Sequence, residues 1–308
     1  MGNLQARPND RVQTGVNGVD STWRIAQMTI SIASFSFHGA LSDGTIDVFG
    51  YLEACRYRYH LDTADIWNGL LGPDVETQLD PERLAKVRRA MNERDLVCVN
   101  YHADGCHVWE DDAETRVRHH ELALRHLQAA ETLGATTVRI DTGGRGREWT
   151  NEEFDAIATA FREYSEFAGN AGFKFGPETH WGATNYPDNM LKLHAAVGSP
   201  HYGILLHMGK DTSTSPDEYD KALAPIAIHT HIDQRTSYER LADALAILMD
   251  SGYKGVLGVE HHTGKNEFAE VEAQIGLLRR AISHYRQGRG EGYTGNPLLD
   301  AKNERAHN

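Results

Sequence analysis

The feature that most constrains the fold is a pattern repeated at the ends of helical stretches. Four glycines follow amphipathic segments and stand directly before apolar, strand-like runs: Gly134, Gly172, Gly198 and Gly252. Glycine at such a position takes the left-handed conformation that ends a helix. Because a β run begins at once, the connections from helix to strand are short, as in repeated βα units. The pattern therefore predicts parallel strands alternating with helices.

Eight apolar segments fit this alternation. They cover residues 27–33, 62–67, 96–102, 136–141, 173–179, 202–208, 226–232 and 255–261. Signals for helix starts lie between them: Asp80-Pro81, Asp111 with Glu114, Thr150 with Glu153, and Thr236 with Glu239. Eight βα units over about 260 residues favour a closed (β/α)₈ TIM barrel with eight parallel strands over an open doubly wound sheet. An open nucleotide-binding sheet would also carry a GxGxxG loop after its first strand, which this sequence lacks there.

The alternation divides the chain of 308 residues into three parts. We predict an N-terminal extension over residues 1–24, a barrel domain over 25–286 and a polar C-terminal tail over 287–308. The first thirty residues lack the apolar core of a signal peptide. The three cysteines, Cys55, Cys98 and Cys106, cannot form a disulfide framework. We therefore expect a protein of the reducing cytoplasm.

Composition also limits the partners. The formal net charge of −13 argues against nucleic acid and anionic membranes, because both carry negative charge. No apolar run approaches the ~18 residues of a membrane-spanning helix. A small-molecule substrate remains the expected partner.

Ligand-type side chains recur once per repeat at the ends of the last four predicted strands. They are Glu178, His207, His231 and Glu260, separated by 29, 24 and 29 residues. Strand ends of a TIM barrel converge on one face, where catalysis takes place. Two carboxylates and two imidazoles meeting there predict a divalent-metal site with open positions for substrate. Taken singly, each residue could instead be a hydrogen-bonded core histidine or a salt-bridge partner.

Several stretches resemble a known family. ETHWG at 178–182 resembles the ENHWG of the sugar-phosphate isomerase/epimerase family, the xylose isomerase-like TIM barrels. LAPIAIHTHID and YKGVLGVE are similar to the seventh and eighth strands of that family, and the resemblance spans residues 27–285. The family includes ketose 3-epimerases, inosose dehydratases and lyases that cleave 3-oxo-glycosides and C-glycosides.

The resemblance implies a metal held by Glu, Asp, His and Glu from strands five to eight. Glu178, His231 and Glu260 match three of these positions, whereas His207 stands in place of the aspartate and Lys210 in place of a polar residue. A histidine ligand removes one negative charge and adds nitrogen, which favours Mn, Co, Fe or Zn over Mg. We expect one divalent ion, with Mn²⁺ the first choice, provided that His207 keeps its affinity.

The reactions of the family share the removal of a proton from the carbon next to a carbonyl. Glu178 and Glu260 are the expected general acid and base, and His180 is expected to bind a substrate hydroxyl or assist proton transfer. Lys210 could hold a substrate oxyanion or phosphate or act as acid or base; the alternative is a solvated loop lysine.

A further set of residues is predicted to contact the substrate. Its polar members, at the mouths of strands three and four, are His102, Arg139 and Asp141. Its aromatic members, Trp67 and Trp181, would provide flat apolar surfaces for a sugar or an aromatic aglycone. The alternatives are salt bridges inside the barrel and, for Trp67, core packing. Phe35, Phe37 and His38 are candidates for the roof of the pocket.

Three functions follow from this pattern. The first is a metal-dependent isomerase or epimerase of a keto-sugar or sugar phosphate that works through an enediolate. The second is a lyase, either a dehydratase or an enzyme that eliminates from 3-oxo-glycosides or C-glycosides through the same carbanion. The third, motivated by His207, is a catalytically altered barrel that binds a sugar. A homo-oligomer or a helper subunit is compatible with each of them.

Overall fold

The structure is a computed structural model that describes residues 28–210 and 215–288. Within them each predicted apolar segment coincides with one strand, although β3 ends one residue beyond its segment: β1 Ile30–Ile32, β2 Thr63–Trp67, β3 Val97–Ala103, β4 Thr137–Ile140, β5 Lys174–Gly176, β6 Ile204–His207, β7 Ala227–Ile232 and β8 Leu257–Val259. The eight predicted strands are therefore confirmed. The predicted extension over 1–24 and residues 289–308 of the predicted tail lie outside the described residues.

Helices follow every strand within the described residues. Their bounds are α1 His38–Ser42, α2 Val48–Glu53, α3 Asn68–Leu71, α4 Val75–Gln78, α5 Pro81–Glu93, α6 Ala113–Leu133, α7 Asn151–Ala171, α8 Pro187–Val197, α9 Pro216–Leu223, α10 Gln234–Glu239, α11 Leu241–Asp250 and α12 Glu267–Gly288. None of these helices combines the length and the apolar character needed to cross a bilayer.

The eight strands form a closed parallel barrel. Two four-stranded sheets, β1-β8-β7-β6 and β2-β3-β4-β5, contain all the regular pairings. Isolated parallel bridges join the sheets, between Ala33 and Asp65 on one side and between Phe175 and Tyr202 on the other. At the second seam a Cβ on Gly176 would lie 1.9 Å from the carbonyl oxygen of Gly203, so only glycine permits this approach. The predicted (β/α)₈ barrel is confirmed.

The helix ends confirm most of the cap predictions. Gly134 ends α6 with φ 67°, and Gly172 and Gly198 end α7 and α8 in the same left-handed conformation. Thr150 and Glu153 form the predicted capping box. The N-caps predicted for α6 and α10 are wrong.

The corrected caps are both aspartates. Asp112, rather than Asp111, caps α6 by accepting a hydrogen bond from the Thr115 amide at 2.7 Å. Asp233 caps α10 by accepting from the Thr236 amide at 2.7 Å, which places Thr236 inside the helix. Each carboxylate stands three residues before the amide that it accepts from, and aspartate is among the strongest N-caps.

Candidate active site

The ends of β5 to β8 place four polar side chains at one mouth of the barrel. Glu178 follows β5 and is fixed beside β6 by a bridge to Leu205. His207 is the last residue of β6, His231 lies in β7, and Glu260 directly follows β8. All four side chains are buried. We call Glu178, His207, His231 and Glu260 the mouth cluster.

Each imidazole of the mouth cluster faces both carboxylates. His207 Nδ1 lies 3.1 Å from Glu178 Oε1 and 3.6 Å from Glu260 Oε2. His231 Nδ1 lies 3.3 Å from Glu178 Oε1 and 3.4 Å from Glu260 Oε1. Glu178, His231 and Glu260 form one group whose candidate ligand atoms lie within 4.8 Å of one another, and His207 is joined to it through its contacts with both carboxylates.

These separations suit a divalent cation. An ion with bonds of about 2.1 Å keeps neighbouring ligand atoms roughly 3.0–3.4 Å apart in octahedral or tetrahedral coordination. The distances of 3.1–3.6 Å between nitrogen and oxygen atoms in the cluster come close to that range. Carboxylate and imidazole together are a donor set for Mn, Fe, Co or Zn.

The charges of the cluster also favour a cation. Burial by itself raises the pKa of Glu260, but His231 and His262 lower it, so that the net pKa is about 2. Burial lowers the pKa of His231, whereas Glu260 and Glu178 raise it well above its usual value. Two ionised carboxylates therefore require positive charge between them. A divalent ion can supply that charge in place of protons on the imidazoles.

Each histidine of the mouth cluster also faces an aspartate through its other ring nitrogen. His231 Nε2 lies 3.7 Å from Asp65 Oδ2, and His207 Nε2 lies 3.8 Å from Asp233 Oδ2. A histidine ligand commonly presents its other nitrogen to a carboxylate, which fixes the ring and the tautomer. The sequence analysis missed both aspartates, although Asp233 stands only two residues after His231 in the HTHID stretch.

Arg139 anchors one carboxylate of the mouth cluster. Its Nε and Nη2 both donate to Glu178 Oε2, at 3.1 and 3.0 Å. Its Nη1 contacts Asp104 and lies 3.2 Å from Asp141 Oδ2. Burial by itself raises the pKa of Glu178, but His180 and Arg139 hold it well below its usual value. The guanidinium is therefore engaged by three carboxylates rather than free to bind an anion.

A small cavity of about 150 Å³ opens above the cluster. Most of the predicted substrate-contact residues line it, together with two residues that the sequence analysis did not name, Asp104 and His262. Its walls comprise Phe35, Trp67, His102, Asp104, Arg139, Glu178, His180, His207, Lys210, Glu260 and His262. Trp67 Nε1 donates to Asp104 Oδ2 at 2.7 Å, which holds the indole at the edge of the cavity.

Other predicted residues lie around the cavity rather than in its wall. Asp141 is buried behind Arg139 and His180, and Trp181 lines a neighbouring cavity of about 680 Å³. His38 stacks on Phe35 with ring centroids 4.5 Å apart. The suggestion that Phe37 roofs the pocket is wrong, because its side chain is fully buried and packs against Phe268.

His180 is positioned by a carboxylate outside the mouth cluster. Its Nδ1 lies 3.2 Å from Asp141 Oδ2 and 3.9 Å from Glu178 Oε2. Burial lowers the pKa of His180, whereas Glu178 and Asp141 raise it above its usual value. With Nδ1 held by Asp141, the other ring nitrogen is the one available to a ligand.

Lys210 and His262 complete the cavity wall on the side of β6 and β8. His262 Nε2 lies 2.9 Å from Glu260 Oε2, and its side chain is 43 % exposed. Lys210 is half-buried and is followed by residues 211–214, which lie outside the described residues. A contact between His262 and Glu260 was accessible to sequence reasoning, because the HH pair follows Glu260 directly.

Comparison with known proteins agrees with this architecture. The profile of the xylose isomerase-like TIM barrel family matches residues 64–281, and no curated protein sequence matches the chain. Three solved structures are similar in fold. A D-tagatose 3-epimerase-like protein is 17% identical with a TM-score of 0.66, covering 84% of this chain and 99% of its own.

The other two structures are a probable dehydratase and a protein in complex with magnesium. The probable 3-DHS dehydratase AsbF from Bacillus anthracis is 15% identical with a TM-score of 0.62, covering 82% of this chain and 98% of its own. A xylose isomerase-like TIM barrel protein from Mycobacterium smegmatis, in complex with magnesium, is 15% identical with a TM-score of 0.58, covering 76% of this chain and 90% of its own. The present chain belongs to the xylose isomerase-like TIM barrel family.

Proposed function

We propose that this protein is a divalent-metal-dependent isomerase or epimerase of a keto-sugar or sugar phosphate. The observation that carries the proposal is the mouth cluster, in which each of two imidazoles lies 3.1–3.6 Å from both carboxylates, beneath a small polar cavity. The fold likeness to a D-tagatose 3-epimerase-like protein supports a sugar substrate, and the magnesium complex of another relative supports a divalent ion. Mn²⁺ is our first choice of ion because His207 adds a nitrogen ligand.

The two glutamates have different surroundings and therefore different roles. The bound ion would act as a Lewis acid toward the sugar carbonyl and its enediolate. Glu178 has one oxygen bound by Arg139 and the other directed at the histidines, so it serves as a fixed ligand. Glu260 contacts the half-exposed His262 at the cavity wall. We therefore assign the removal of the substrate proton to Glu260, with Glu178 restricted to holding and orienting. Isomerisation can return the proton through Glu260 itself, whereas epimerisation needs a proton donor on the other face of the sugar, for which His180 at the cavity wall is our candidate.

The remaining wall residues would bind the sugar. Trp67 offers a flat apolar surface whose N–H is already satisfied by Asp104. His102 and Lys210 supply polar contacts at the floor and the edge of the cavity. Because three carboxylates engage Arg139, Lys210 is the lysine or arginine that we propose to receive an oxyanion or a phosphate, among the described residues of the cavity wall. Asp141 would not contact the sugar itself; it would orient His180, whose Nδ1 lies 3.2 Å from Asp141 Oδ2.

A second candidate function is elimination, and one observation favours it. His180 lines the cavity, is held through Nδ1 by Asp141 and is separate from the four proposed ligands. Such a group can give a proton to a leaving oxygen while the carbanion stays next to the carbonyl. The fold likeness to a probable dehydratase is in keeping with this alternative.

The third hypothesis, a barrel that binds a sugar without turnover, rests on His207 alone. His207 Nδ1 lies 3.1 Å from Glu178 Oε1, within the range expected for two ligands of one ion. The substitution of the family aspartate thus leaves a donor atom in place. This supports an enzyme over an inactive binding barrel.

Solvent exchange tests the proposal. The chelator-treated protein is loaded with Mn²⁺ and incubated in D₂O with D-tagatose, D-fructose and their phosphates. We expect deuterium to enter at the carbon beside the carbonyl, as seen by proton NMR. The exchange should disappear in Glu260→Gln and persist in the matched surface variant Glu131→Gln, whose side chain is exposed.

The same preparation distinguishes the alternatives. A 3-oxo-glycoside with a chromogenic aglycone reports elimination by release of colour. Release without exchange into ketoses would favour the lyase. Neither exchange nor release, together with sugar binding in calorimetry, would favour the altered barrel and overturn the epimerase assignment.

A further inference from the structure

A second cluster of ligand-type side chains lies outside the mouth of the barrel. His107 and Glu110 belong to the loop between β3 and α6, and His119 lies two turns inside α6. One candidate ligand atom of each residue lies within 4.8 Å of those of the other two. We call these three residues the loop triad. They are only partly buried, unlike the mouth cluster.

The hydrogen bonds of the loop triad leave a lone pair available on His119 and place His107 beside Glu110. His119 Nδ1 lies 2.9 Å from the carbonyl oxygen of His107. Because a carbonyl only accepts, this contact places the proton on Nδ1 and leaves a lone pair on Nε2. His107 Nε2 contacts Glu110 Oε1. The two imidazole rings lie 4.8 Å apart with their planes at 76°.

The loop that carries His107 and Glu110 is held in place independently of any ligand, and His119 is fixed by its position in α6. Trp109 N donates to the Thr142 carbonyl at 2.8 Å, and Val108 N donates to the Asp141 carbonyl at 3.2 Å. Arg116 Nη1 donates to the Glu110 carbonyl at 2.7 Å, and its guanidinium lies 4.4 Å from the Trp109 ring centroid. Donor atoms mounted on a fixed backbone lose little entropy when they bind an ion.

We propose that the loop triad is a second cation site, selective for Zn²⁺ or a similar transition-metal ion. Two imidazoles and one carboxylate are the donor set of open zinc sites, in which a fourth position stays free. That position would face the cavity of about 680 Å³ whose wall includes His107 and Glu110. The hard ion Mg²⁺ prefers oxygen ligands and should bind here weakly.

The site lies behind one wall of the candidate active site. The ring of Trp181 stands between the two regions, 6.3 Å from His107 and 4.3 Å from His180 between ring centroids. An ion bound by the loop triad would therefore lie on the far side of Trp181 from the mouth and would not touch a substrate there. The proposal does not depend on the proposed catalytic function.

Metal stoichiometry tests the proposal. Chelator-treated protein is titrated with Zn²⁺ by calorimetry, and with Co²⁺ for its visible absorption bands. We expect two ions per chain in the wild type and one in His119→Gln, with affinity at the loop triad lowered more than about 100-fold, since changing an outer-shell partner alone costs 10- to 100-fold. His120→Gln is the matched control, because the neighbouring His120 bonds to Tyr164 instead.

Ion binding at the mouth cluster is measured separately from ion binding at the loop triad. Glu178→Gln should keep the ion of the loop triad and lose the other, so a failure of the mouth site leaves the test intact. Circular dichroism verifies that each variant is folded. The proposal is overturned if His119→Gln binds as many Zn²⁺ ions as the wild type, with equal affinity. It is also overturned if Glu178→Gln binds none.

Discussion

The barrel contains two buried groups of carboxylates and imidazoles that differ in how their charges are balanced. The mouth cluster has two glutamates that share two histidines. Below it lies what we call the interior cluster, which comprises Ser31, Asp65, Asn100, His102 and His229. Asp65 accepts from Asn100 at 2.9 Å and from Ser31 at 3.2 Å, and it lies 2.7 Å from His229 Nε2. One carboxylate there has several partners, whereas two carboxylates compete at the mouth.

The difference distinguishes a structural polar group from a binding site. Burial raises the pKa of Asp65, but His229 and His231 hold it well below its usual value, so the protein itself satisfies this charge. At the mouth, Arg139 binds one oxygen of Glu178, but the oxygens of Glu178 and Glu260 that face His207 and His231 meet positive charge only when protons or a cation lie there. The interior cluster should therefore contribute chiefly to stability, with Asp65 also orienting His231, and the mouth cluster should contribute to ion binding and activity.

The largest expected effect is the loss of activity in Glu178→Gln. The amide removes a ligand and leaves Arg139 without one of its carboxylates, so we expect activity to fall about 10³-fold or more. Mn²⁺ content after dialysis and the exchange rate in D₂O measure the two losses. Glu131→Gln is the surface control. Full Mn²⁺ occupancy with normal exchange in the variant would contradict the role of the mouth cluster.

The next largest effect should be the loss of stability in Asp65→Asn. The substitution keeps an acceptor oxygen beside His229 but removes the buried negative charge that three imidazoles face, and we expect this to cost about 3 kcal/mol. Denaturant unfolding of the metal-free protein measures this cost. Glu178→Gln should lower the free energy of unfolding less, since its partners reach the cavity. If the two variants ranked in the opposite order, the distinction between the two clusters would be lost.

The sequence predicted the mouth cluster better than its surroundings, for a geometric reason. Equivalent ends of successive strands converge in a barrel, so a spacing of one βα unit was enough to group Glu178 with His207. The partner of His229 could not be found this way, because Asp65 is 164 residues distant in the chain. The direction of a side chain also could not be predicted where a strand ends in a turn, because the alternation of a strand no longer applies there. Phe35 and Phe37 lie in a 3₁₀ turn, so only the first reaches the cavity.

A smaller effect on the stability of the folded protein is expected from binding of the ion. Mn²⁺ at about 100 times its dissociation constant should stabilise the folded protein by about 2.7 kcal/mol. The measurement is the thermal shift of chelator-treated protein, made in His119→Gln so that the loop triad does not contribute. The shift should vanish when Glu178→Gln is added and persist with Asp112→Asn. An equal shift in both would mean that the ion binds elsewhere.

The smallest effect concerns the carboxylate behind His207. Asp233→Asn keeps the oxygen that caps α10, because asparagine caps as well as aspartate, but it removes the charge facing His207 Nε2. We expect Mn²⁺ affinity to fall about 10- to 100-fold with little change in stability. Asp112→Asn makes the same change at the cap of α6, away from the mouth, and should leave affinity unaltered. Equal affinities in the two variants would show that Asp233 is only a helix cap, and that the mouth cluster orients His207 without it.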